Sequence, residues 1–184
     1  MKTKLLILFP LLFFKMNAAG AANLVYGEGF SFSIDHPKGW TCECDGKNAA
    51  AVGANILLHR QDQTFNNAQP LIYILVNKRG KSPQHDLDTD IKSTKVEKPK
   101  TKFEKLAMDS VDGPTASSVF LLPQGVSEYV TYYFPKKSNA NSLSITMHFD
   151  HRTANREEMK AFKETVKSIH WLADVTNITL PGKK

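Results

Sequence analysis

Cys42 and Cys44 stand two residues apart in a chain that holds no other cysteine. In a straight strand their side chains share one face, but the Cα atoms lie about 6.5–7 Å apart, at the upper edge of disulfide geometry. A bridge therefore needs a bulge or turn, and Asp45-Gly46 follows directly. Three chemistries stay open: a small local bridge or two quiet thiols, a strained redox-active bond, and a pair of thiolates holding a soft ion with His59 reaching across from a neighbouring strand. A second constellation, His148-Phe-Asp-His151, puts His148 and Asp150 on one strand face, with His151 beginning the next loop. Two nitrogens and a carboxylate suit a divalent ion; at a strand end the same groups also serve as solvated polar side chains. Structural zinc normally takes four ligands. Neither group is assigned as a metal site, and no cofactor is assigned.

Nucleophilic catalysis finds no support in the sequence. It contains no Gly-x-Ser-x-Gly elbow, no His-Glu-x-x-His, no Gly-rich phosphate loop and no dinucleotide fingerprint, so the expectation is a protein that is not an enzyme. Asp86, Asp88 and Asp90 alternate like a cation loop, yet helical spacing after Pro83 would spread them around an axis, as favourable charge near a helix N-terminus. Cations collect further on. Between Lys78 and Lys105 stand nine Lys or Arg against five acids. Lys92, Lys95, Lys98, Lys100 and Lys102 follow one another toward the end of the same helix and the loop beyond it. They read either as a solvated, dipole-complementing end or as a docking patch for an acidic protein or an anionic surface, felt over about 8 Å at physiological salt.

The elements that position these groups are mostly strands. Phe30–Ile34, Trp40–Cys44, Asn55–His59, Leu71–Val76, Val119–Leu122, Glu128–Phe134 and Leu143–Phe149 are short, aromatic or β-branched, and bounded by turn residues. Leu71-Ile-Tyr-Ile-Leu-Val76 is apolar on both faces, as a central covered strand should be. Residues 135–142 join the last two strands as a long hairpin tip with Lys136 and Lys137. Ser82 and Pro83 open a first helix through Leu87 and Ile91 that stops before Pro99. Asn155 and Glu158 open a second helix, whose Met159, Phe162, Val166 and Ile169 recur on one face.

Residues 1–21 read as a signal peptide: Lys2 and Lys4, the apolar run Leu5 to Phe14, then small residues through Ala22. That run is too short for a membrane helix, which needs roughly 20 residues, so no stable membrane insertion is expected once the leader is removed. Its loss, with three lysines and no acid, lowers the formal charge from +6 to +3. A balance that mild in an exported protein sets nucleic acid aside. The rest of the 184 residues is large enough for one domain, expected over 24–172, followed by a tail, 173–184. The expected location is the periplasm or the exterior, and the expected state a monomer.

Three phrases carry a family resemblance. Phe30 to Trp40 matches a strand-Pro-x-x-Trp opening, Asp112 to Ala116 a small-residue turn before a strand, and Phe149 to Trp171 a closing strand-helix-Ser-x-x-Trp. Together they resemble the PsbP-like superfamily, which includes bacterial periplasmic proteins of the DcrB type and shares its fold with a Ran-GTPase release factor. The resemblance implies an α+β domain: an antiparallel sheet of about six or seven strands sandwiched between α-helices. It implies no catalytic residue, since the matching positions are packing and turn positions, and fold alone does not fix function. The functional expectation is an exported, non-enzymatic binding or accessory domain that recognises a protein or envelope component through surface loops around 78–105 and 135–142. The alternative is a metal-binding or redox-linked periplasmic protein using Cys42 and Cys44, or His148, Asp150 and His151.

Overall fold

Alternation of apolar and hydroxyl side chains in Phe30-Ser-Phe-Ser-Ile34 builds a strand with one dry face: Phe30, Phe32 and Ile34 are buried, Ser31 and Ser33 are not. Pro37 and Gly39 then reverse the chain. Gly39 takes a positive φ of 81°, and the Trp40 amide donates to the Pro37 carbonyl at 3.0 Å, returning Trp40 to the core.

The computed structural model describes residues 22–43, 47–64, 68–109, 112–123, 125–150 and 156–174. The expected leader, Cys44, His151, Asn155 and most of the expected tail lie outside them. In chain order the elements are β1 (Asn23–Gly27), β2 (Phe30–Ile34), β3 (Trp40–Glu43), α1 (Lys47–Ala51), β4 (Ile56–Arg60), β5 (Leu71–Lys78), α2 (Pro83–Glu97), β6 (Lys102–Lys105), β7 (Thr115–Leu121), β8 (Val126–Tyr133), β9 (Asn141–Asp150), α3 (Arg156–Ser168) and β10 (His170–Ala173). The chain is α+β, with two antiparallel sheets: seven strands in the order β3-β4-β5-β9-β8-β7-β6, and three in the order β1-β2-β10. The strand Phe30–Ile34 thus belongs to a second, smaller sheet that the sequence reading did not separate from the first.

Register divides the seven-stranded sheet cleanly. One face carries Ile72, Ile74, Leu143, Ile145, Met147 and Phe149, packed against α3 and the small sheet. There Phe32 stacks on Trp171 with ring centroids 5.7 Å apart, and Tyr129 meets both Phe149 (4.4 Å) and Phe162 of α3 (5.7 Å). Full burial of side chains this size is worth about 2–3 kcal/mol each. The α3 helix has the amphipathic pattern read from its sequence, burying Ala161, Phe162 and Val166.

The opposite face is covered in two places. Ala49 and Ala54, in and just after α1, pack on Leu57 of β4, while Leu87 of α2 packs on Ala116, Phe120 and Val130. The α2 helix starts as its sequence dictates: Ser82 caps it, accepting the His85 amide at 3.1 Å, and Pro83 holds the first position. Its apolar stripe is thin, because only Pro83 and Leu87 are buried. Between the two covers, the middle strands β5, β9 and β8 leave Tyr73, Asn77, Ser144, His148, Glu128 and Tyr132 half-buried.

Candidate functional site

Lysines follow one another through three successive elements beside the β6 edge of the large sheet. Lys92 and Lys95 lie in the last turns of α2, Lys98 is its C-cap, Lys100 follows in the loop, and Lys102 opens β6. All five are exposed, and among the described residues none forms an ion pair. Lys95 reaches back so that its Nζ sits 5.4 Å above the Phe103 ring, which itself meets Phe120 edge-on at 4.9 Å. Val96 stands among them at 84 % exposure. Two structural reasons account for cations at these positions. They complement the carbonyl end of α2, and β6 is an edge strand, where lysine discourages pairing with another chain.

The hairpin tip, expected as a surface recognition loop, is also held by contacts to the rest of the chain. Its backbone is tied inward: Arg79 Nη1 donates to the carbonyls of Pro135 (3.0 Å) and Ser138, while its guanidinium lies 4.6 Å from the Phe134 ring centroid. Asn141 Nδ2 donates to Gly29 O at 2.9 Å. Asp174, at the start of the expected tail, accepts from the Ser138 hydroxyl and from the Asn139 and Ala140 amides. Polar tip residues here hold two sheets together. Lys136, Lys137, Asn139 and Ala140 remain exposed.

Two members of the candidate ligand sets, Cys44 and His151, lie outside the described residues; the others are placed as follows. Cys42 is disulfide-bonded and packs beside the core face of the large sheet. His59 pairs across from Thr41, not Cys42; alternation along the strand therefore sends Cys42 and His59 to opposite faces. The His59 ring is already engaged, with Nε2 2.9 Å from Glu43 Oε1 and Nδ1 2.8 Å from the Arg60 carbonyl oxygen. His148 and Asp150 do share a face, and His148 Nδ1 lies 3.2 Å from Glu128 Oε1. Among the described residues no three His, Cys, Asp or Glu side chains converge with metal-ligand geometry.

The structure also gathers polar groups around Asp90, which was expected to serve as charge near a helix N-terminus but lies in the middle of α2 (Pro83–Glu97). Tyr132 donates to Asp90 Oδ2 at 3.1 Å, and Asn77 Nδ2 donates to Ser144 Oγ at 3.0 Å. Burial, with the Glu128 and Asp90 charges nearby, pushes the Tyr73 phenol up to about 12 despite its hydrogen bond with Thr146. Burial and the Asp90 carboxylate likewise raise Tyr132. Asp90 itself is raised, by burial first and by Glu128, against the opposing bonds from Tyr132 and Thr94. Strand alternation carried a usable signal, since Glu128, Val130 and Tyr132 must share one face, but only the position of α2 brings Asp90 to them.

No family model matches the chain, and no curated protein matches it. Among solved structures, that of cyanobacterial PsbP (CyanoP) from Synechocystis sp. PCC 6803 in solution is similar, with a TM-score of 0.48 and 11% sequence identity, over 84% of this chain and 96% of that one. The likeness is one of chain path alone. It transfers no residue role. Among the described residues no helix is long and apolar enough to cross a membrane.

Proposed function

We propose that this protein is an exported, non-catalytic binding domain, working as a monomer in the periplasm or outside the cell, and that it docks an anionic envelope surface through the lysine corner. The observation that carries this reading is the succession of Lys92, Lys95, Lys98, Lys100 and Lys102 along the end of α2, the loop after it and the start of β6, all exposed and outside any ion pair among the described residues, with Val96 also exposed in the same stretch. Cations near an anionic lipid surface contribute about 1 kcal/mol each, so five give useful affinity without any deep pocket.

The test is co-sedimentation of the mature protein with vesicles made with and without anionic phospholipid, beside a triple variant, Lys95→Glu, Lys98→Glu and Lys102→Glu. Binding of the natural chain to anionic vesicles at low salt, falling steeply with added salt, is the expected result. The variant should bind more than tenfold more weakly while remaining folded, with a stability loss on the order of 1–2 kcal/mol because Lys95 and Lys98 also complement the carbonyl end of α2. Equal binding by both proteins, or binding that ignores vesicle charge, overturns the reading.

A further inference from the structure

Three of the five large apolar side chains left exposed among the described residues stand on the small sheet. The inner face of that sheet is dry, with Val25, Phe32 and Trp171 in the core. Its outer face is bare: Leu24 is 58% exposed and Tyr26 61%, while Leu172, in the irregularity between Trp171 and Ala173, is 49% exposed. Register lays out the rest of that face. Leu24 lies opposite Ser33 and Tyr26 opposite Ser31, and on the other side of β2 the same serines pair with His170 and Ala173. Two small hydroxyl residues thus floor a shallow trough that carries no Lys, Arg, Asp or Glu.

The strand β1 is also the end strand of its sheet. The edge strand β6 of the large sheet carries Lys102 and Lys105, which discourage pairing with another chain, whereas β1, Asn-Leu-Val-Tyr-Gly, carries no charge. An uncharged edge beside exposed Leu and Tyr is a surface that folded proteins keep covered.

The chain itself supplies a cover. Asp174 follows β10 directly and is fixed by its bonds to Ser138, Asn139 and Ala140, so the chain leaves the sheet from a fixed point beside Ala173, at one end of the trough. Beyond it comes Val175-Thr-Asn-Ile-Thr-Leu180, uncharged and rich in β-branched residues, and then Pro181-Gly182. In an extended chain Ile178 and Leu180 share one face, two residues apart, as Tyr26 and Leu24 do. Because β1 and β10 flank β2, crossing from β10 to β1 takes about 10 Å, and the four steps from Asp174 to Ile178 span about 13 Å. Two further residues cover about 7 Å, the distance from Tyr26 back to Leu24.

We propose that residues 175–180 fold back over the outer face of the small sheet, Ile178 covering Tyr26 and Leu180 covering Leu24, with Pro181 ending the contact. The partner that this surface fits is a named segment of the same chain. The proposal is independent of the lysine corner, none of whose members lies on this sheet.

Nuclear Overhauser contacts in the isotope-labelled mature protein test it. Cross-peaks from the Ile178 and Leu180 methyls to the Tyr26 ring are expected. The double variant Ile178→Asp, Leu180→Asp should abolish them and shift the amides of Leu24, Tyr26, Ser31 and Ser33, while the Trp171 indole resonance stays in place because the inner face remains packed. Nitration of Tyr26 should run at least threefold faster in that variant. Absence of the cross-peaks, or a variant whose Tyr26 amide and nitration rate match those of the natural chain, overturns the proposal. So do cross-peaks that arise only between chains, detected by mixing labelled with unlabelled protein, since a second copy would then be the cover.

Discussion

Ser138 donates its hydroxyl to Asp174 at 2.6 Å, tying the tip of the β8–β9 hairpin to the end of β10. The same carboxylate accepts Trp171 Nε1 at 3.1 Å and the Asn139 amide at 2.9 Å. Burial alone would raise Asp174; the bonds from Ser138, Asn139, Asn141 and Ala140 outweigh it and hold the carboxyl below its ordinary value. A group of this kind stabilises the fold fully above the unfolded carboxylate value of about 3.9, and that contribution is lost as pH falls through the lower folded value. Asp174→Ala removes the acceptor from a buried serine and a buried tryptophan and should cost about 2 kcal/mol in urea denaturation at neutral pH. The difference from the natural chain should shrink below pH 4.

Arg60 stands 3.7 Å from Glu158 on α3, whose side chain is only 6% exposed. Lys160 and Glu164 form a pair at the same 3.7 Å with both side chains well exposed. Equal distances hide unequal consequences. Arg60→Ala withdraws a counter-charge from a buried carboxylate and should destabilise by about 2–4 kcal/mol, whereas Lys160→Ala should change stability by less than about 0.5 kcal/mol. Thermal melts of the two variants, run together, check the contrast.

Tyr73 sets an alkaline limit. Burial holds its folded value at about 12, above the ordinary tyrosine value of about 10, so above pH 10 the unfolded chain releases a proton that the folded chain keeps. Stability must then fall as pH rises from about 10 toward 12. Tyr73→Phe should flatten part of that decline in denaturation curves taken across the interval, and phenolate absorbance should show delayed ionisation in the natural chain. An identical alkaline decline in both proteins would contradict the assignment to Tyr73.

Legibility followed apolar content. The strands β2, β5, β8 and β9 were readable because alternating or continuous apolar residues announce burial, and α2 was readable from Ser82 and Pro83 at its start. Lys98-Pro-Lys-Thr-Lys102 reads as solvated loop, and Lys102-Phe-Glu-Lys105 gives no strand signal with one apolar residue among charges; it becomes β6 because β7 offers it an edge, where Phe103 lies opposite Phe120. His170-Trp-Leu-Ala173 is too short to declare itself, and β10 exists because β2 pairs with it. The lysine corner was legible because its members are close in sequence. The contact of Tyr132 with Asp90 was not, because its members are 42 positions apart and meet only through how α2 lies on the sheet.

The small sheet joins the beginning of the chain to its end, with Ser31 and Ala173 in contact across 142 positions. Closing so wide a loop is slow, since its entropy is lost before any contact is gained. Phe32 therefore finds its stacking partner Trp171 only after every strand of the large sheet has been made, so the small sheet closes over a sheet whose strands all precede its last member.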